Sequence, residues 1–101
     1  MIKLISMKMG INIIAEVIDD SVYSVTVKSP AAIFVQPQNG QVMIGFSPFL
    51  EYSTEFSTGI PLKKEDVLCV LTPNTDLVNE YNKYFGSGIQ IATADILPIK
   101  K

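Results

Sequence analysis

Apolar and polar residues alternate from the beginning of the chain. Over residues 2–8, Ile2, Leu4, Ser6 and Lys8 share one side, and Lys3, Ile5 and Met7 the other. Over residues 11–18, Ile11, Ile13, Ala15 and Val17 make a wholly apolar side, and Asn12, Ile14, Glu16 and Ile18 a mixed one. A period of two predicts half-buried strands. Gly10 separates the two runs and supplies the positive φ of a tight reversal. Asp19, Asp20 and Ser21 read as a turn, because their side chains bond to nearby backbone. Residues 22–35 form a long β-branched and aromatic run. Ser29-Pro30 in its middle predicts a bend, since proline lacks the N–H that a ladder uses. Asn39-Gly40 is a strong hairpin signal, and residues 41–49 return as the next strand. Residues 50–62 fit either a polar-faced strand or an excursion between strands. Residues 63–66 ("KKED") read as a charged turn, and 67–71 ("VLCVL") as a short strand apolar on both faces.

The period then changes to that of a helix. Thr72 stands where an N-cap belongs and Pro73 where the first helical residue belongs. Leu77, Val78, Tyr81, Tyr84 and Phe85 share one side, opposite Asp76, Asn79, Glu80, Asn82 and Lys83. Gly86 ends the helix, which is predicted over 73–86. The tail, 87–101, is apolar enough to pack as an edge strand. Five strands with hairpin-like connections and one bend predict a mainly β fold. The expected form is a small, strongly bent, antiparallel five-stranded barrel over residues 2–71, with a C-terminal helix, because closure removes sheet edges. The 101 residues make a single domain, 1–101.

Composition narrows the chemistry. All eight basic residues are Lys, and there is no His or Trp. Without His or a second Cys, the familiar zinc sets and the Ser-His and Cys-His nucleophiles have no members. The Gly-rich phosphate loops are absent too; Gly86-Ser87-Gly88 follows a helix and reads as its stop. The acid pairs Asp19-Asp20 and Glu65-Asp66 read as solvated turn residues. No catalysis, cofactor or metal is expected. One cysteine, Cys69, excludes a disulfide within the chain; its apolar neighbours place it as a small buried core residue. A reducing, cytoplasmic setting is the expectation. The apolar runs fall far short of the about 20 residues of a membrane span, and the N-terminus is too mixed for a signal peptide. A net charge of −2 means that any nucleic-acid site is a local cluster. The apolar share of 48% is high for a soluble monomer and points to surface hidden in a partner.

Residues 5–19, "ISMKMGINIIAEVID", resemble the first motif of the Sm-like family (the LSm and Hfq proteins). Met7-Lys8-Met9-Gly10 stands for the family's Leu-Lys-x-Gly, Ala15 for its second Gly, and Val17, Ile18 and Asp19 continue the pattern. Residues 62–70, "LKKEDVLCV", are similar to the second motif, with Lys63 for its Arg and Lys64 for its Gly. The long bent run at 22–35 fits the third strand. The family's RNA-contacting Asn would fall near Val22-Tyr23, where Tyr23 stands. The Arg-free, Lys-, Asn- and Ile-rich composition suits a divergent member of phage or viral origin, working in the host cytoplasm.

The resemblance implies an Sm-like (SH3-like) barrel and a homo-oligomeric ring of about five to seven subunits. In such rings the fourth strand of one subunit pairs with the fifth of the next, which here assigns Val67, Leu68 and Val70 to the subunit interface. It implies a non-catalytic scaffold or chaperone binding single-stranded RNA. Lys63 and Lys64 would line the ring and Tyr23 would stack on a base. Without Arg, such binding is weak, salt-sensitive and sequence-tolerant. The alternative is a structural or adaptor ring, for example phage-related, that keeps the barrel and has lost RNA. An enzyme is the remote third possibility.

Overall fold

The computed structural model describes residues 1–85 and 96–98. The strands, in chain order, are β1 (Ile2–Met7), β2 (Asn12–Asp20), β3 (Ser24–Gln38), β4 (Gln41–Pro48), β5 (Ile60–Lys63), β6 (Val67–Leu71) and β7 (Ile96–Pro98). One helix, α1 (Thr75–Phe85), precedes β7, and short 3-10 turns occupy Thr54–Phe56 and Lys64–Asp66. The fold is therefore mainly β. All pairings are antiparallel, in the order β6-β1-β2-β3-β4-β7, with β5 paired to β3 beside this path.

The first two strands follow their alternation. Gly10 adopts φ +98°, and the reversal is closed by the Met7 N–H bonding to the Ile11 carbonyl at 2.8 Å. Asn39 and Gly40 have φ +52° and +77°, the geometry that makes Asn-Gly a hairpin turn. The acids at 19 and 20 depart from expectation. They stay in β2, paired with Thr26 and Val25, and the turn falls at residues 21–23. There Ser21 and Ser24 brace one another: the Ser21 N–H donates to the Ser24 carbonyl at 2.8 Å, and the Ser24 N–H to Ser21 Oγ at 3.2 Å. β3 accordingly begins at Ser24, two residues later than expected.

The bend in β3 lies where Pro30 placed it. Ile14 pairs with Ala31 and Glu16 with Lys28, so Ala15 alone faces the two residues Ser29 and Pro30. This is a bulge, and Ser29 takes a left-handed φ of +49°. Val25 and Val27, before it, pack with Ile5, Met7, Ile13, Ala15, Ile60 and Leu62. Ala31, after it, packs on the opposite side of the sheet with Ile14, Phe46 and the helix residues Tyr81 and Tyr84. β2 serves both cores, which is why Ile13, Ile14 and Ala15 are all fully buried.

Two further elements differ from the sequence reading. Residues 50–62 resolve into a 3-10 turn and the four-residue β5, so residues 2–71 hold six strands and not five. The helix begins at Thr75, with Asn74 as its cap: the Leu77 N–H donates to Asn74 Oδ1 at 2.8 Å. Asn accepts this bond at least as well as Thr, and Pro73 then precedes the cap instead of following it. Thr72 instead accepts a hydrogen bond from Lys3 Nζ at 3.3 Å. The predicted helix stop at Gly86 and all of the 87–101 tail except Ile96–Pro98 lie outside the described residues. Those three residues form an edge strand, on Met43–Gly45 of β4.

Candidate functional site

Two surfaces combine the residues that the sequence singled out. The first is an open depression of about 380 Å³ lined by Val22, Tyr23, Lys63, Lys64 and Glu65. It is built by the serine-braced turn and by the junction of β5 with the 3-10 turn after it. Lys63 ends β5 opposite Ser24, and the Lys64 N–H donates to the Tyr23 carbonyl at 2.8 Å. Because Ser21 and Ser24 hold the turn closed, Val22 and Tyr23 stand out at its tip, 82% and 84% exposed. Tyr23, Lys63 and Lys64, far apart in sequence, thus share one hollow.

The charge of this hollow is mixed. Lys64 Nζ lies 2.5 Å from Asp20 Oδ1, an ion pair open to solvent on both sides. The adjacent Glu65 and Asp66 did not become its partner; β2, running on to Asp20, brings that carboxylate there instead. Lys63 is exposed and makes no ion pair among the described residues. The hollow therefore presents one disengaged ammonium, one aromatic face and the carboxylates of Asp20 and Glu65.

The second surface is β6. One edge pairs with β1, and its other edge is unpaired among the described residues. Val67 packs against the first core, whereas Leu68 is 64% and Val70 37% exposed, and Leu71 is also exposed. Cys69 is exposed as well, which corrects its expected burial. The strand was read correctly, but among the described residues no layer covers this part of the sheet. Leu71 and Cys69 thus join the three residues that the sequence assigned to this surface. Their own apolarity was the available signal. Asp20 carried no comparable signal, because only the course of β2 brings it to Lys64.

Among the described residues no three His, Cys, Asp or Glu side chains gather in a way that could hold a metal ion. No described helix is long and apolar enough to cross a membrane. Compared with known proteins, the chain matches no family model and no curated protein.

Proposed function

We propose that this protein is a non-catalytic, self-assembling scaffold subunit, built on a small Sm-like (SH3-like) barrel and joined to its copies through β6. The β6 edge carries the reading. A five-residue strand without proline or charge, with a backbone edge unpaired among the described residues and wet apolar side chains, is a template for further strand pairing. The alternative, that residues 72–101 cover this edge, gains no support from their described part. α1 packs on Ile14, Ala31 and Phe46 of the sheet face, and Ile96–Pro98 pair with β4. The barrel is supported by the path of the chain: β5 flanks β3, β6 flanks β1, and only the turn Lys64–Asp66 separates them. That turn is tied to both flanks, by the Lys64 N–H to the Tyr23 carbonyl and by the Lys8 N–H to the Asp66 carbonyl, each 2.8 Å.

Light scattering at micromolar concentration, in low and high salt, tests the reading. A defined multimer that persists in high salt is the expected result, because the joint is apolar. A clean monomer in both buffers overturns it. The resemblance implies a ring of about five to seven copies, and the same experiment separates such a ring from a closed dimer, which would keep the self-assembly and set the ring aside.

A second reading, single-stranded RNA at the Tyr23 hollow, is favoured by one observation: Tyr23, Lys63 and Lys64 line it together. Repetition around an assembly would add one disengaged ammonium per copy. Fluorescence anisotropy with a labelled oligouridine is expected to show weak binding that fades with salt. No binding at the lowest salt overturns this reading and leaves the scaffold.

A further inference from the structure

We propose that β6 pairs with β6 of a second copy of this chain, antiparallel across a two-fold axis passing through Cys69. The inference rests on the self-assembly reading and names the edge that meets β6.

The supply of edges comes first. β4 is occupied by β7 at Met43–Gly45 and ends in Pro48. β5 has four residues and contains Pro61; β7 has three described residues and ends in Pro98. Proline withholds a ladder donor, so these edges are short or interrupted. β6 is the described edge strand that is both proline-free and five residues long. The best complement available to one β6 edge is therefore another.

The sequence of β6 is also self-complementary. Antiparallel pairing about Cys69 sets Val67 opposite Leu71, Leu68 opposite Val70 and Cys69 opposite itself, so every position meets an apolar or thiol partner. Leu68, the extra residue where the β1–β6 register shifts between Ser6 and Met7, is the most exposed apolar side chain of the strand. It gains most from being covered.

The charges flanking the strand agree. One step beyond β6 at its two ends lie Asp66 and Thr72, which oppose one another in this register. Lys3 Nζ already reaches over the strand end to Thr72 Oγ1 at 3.3 Å. Each Asp66 carboxylate then arrives beside the partner's Lys3, and symmetry makes the pair twice. Opposite charges across a strand pair favour the register, and like charges would oppose it.

The wild-type protein tests this through its single cysteine. Directly opposed residues of an antiparallel pair have Cα atoms about 4.5–5.5 Å apart, inside the range a disulfide spans. Diamide accepts the two electrons and two protons released as two thiols form one S–S bond, so a covalent dimer reports Cys69 meeting Cys69. The expected result is a species of twice the subunit mass by light scattering, converted to a covalent dimer by diamide. Leu68→Lys abolishes both. Lys3→Glu weakens the dimer about tenfold, two like-charge contacts replacing two favourable ones, and Lys3→Glu combined with Asp66→Lys restores it. A monomer overturns this inference together with the scaffold reading. A multimer of five or more that diamide does not link, or a dimer without linkage or charge-swap rescue, overturns the two-fold pairing alone.

Discussion

The Tyr81 hydroxyl donates a 2.8 Å hydrogen bond to the Ser29 carbonyl, tying the middle of α1 to the residue at which β3 bends. A left-handed φ is unusual for Ser. Neighbouring structure has to hold it, and Tyr81 is part of that structure. Tyr81→Phe removes the donor and keeps the ring. The expected loss is about 1–2 kcal/mol, since the carbonyl is left without its partner in a partly buried place. Urea unfolding of the two proteins measures it.

The same residue gives the fold an alkaline limit. Burial, and then the charge of Glu16, hold the Tyr81 phenol well above its ordinary value. Its folded pKa is raised, so its contribution is complete below the unfolded value of about 10. Above that, the unfolded chain ionises while the folded one does not, and stability falls as pH rises. Urea midpoints taken from pH 8 to pH 11 should drop above pH 10, and the drop should be smaller in Tyr81→Phe.

Gly45 pairs with Phe34 across the β3–β4 ladder, and the aromatic ring lies over it. A β-carbon at Gly45 would sit 2.2 Å from Phe34 Cζ. Gly45→Ala therefore forces the ring aside, with an expected cost of about 1–3 kcal/mol. Thermal unfolding of Gly45→Ala, Phe34→Leu and the double variant checks the cause. The alanine should be better tolerated once the ring is gone, and simple additivity would count against the contact.

Asn74→Ala should cost about 1 kcal/mol, the worth of an N-cap, whereas Thr72→Ala should cost the helix little. Helical content followed by circular dichroism during urea unfolding separates the two positions.

Asp20→Asn addresses the hollow. It releases Lys64 from its ion pair without moving the turn, whose braces are Ser21 and Ser24. If the hollow takes RNA, the variant should bind oligouridine more tightly than wild type. It should also gain about one unit in the slope of log affinity against log salt. Unchanged anisotropy curves would separate Lys64 from any RNA contact.

What could be read from the sequence follows from the range of the forces involved. Gly10, Pro30 and Asn39-Gly40 act within a few residues, and each placed its turn or bend correctly. α1 was visible through its apolar stripe, but Asn74 outcompeted Thr72 as the cap, two residues downstream. β5 was missed because Ile60 and Leu62 are too few to display a period, and Pro61 between them argues against a strand. Cys69 shows a different limit. A run apolar on both faces predicts contacts on both faces but does not say whether one subunit supplies them. The meeting of Tyr23, Lys63 and Lys64 depends on how β3 and β5 pair, and it was reachable only through the family resemblance.

The bulge at Ser29-Pro30 also works as a phase shift. Val25, Val27 and Ala31 are all odd-numbered, yet Ala31 faces the core opposite to that of the two valines. Side chains before the bulge are in one phase and those after it in the other. Losing one residue from the pair would leave Ala15 facing a single residue and every flanking pair and face unchanged, so what the extra residue supplies is the bend itself. Shortening the β3–β4 arm by one residue from each strand keeps the ladder matched beyond the cut. Length variation in this fold is thus of two kinds: the arm can change by matched pairs, while the bulge can lose its odd residue alone and gives up only the bend.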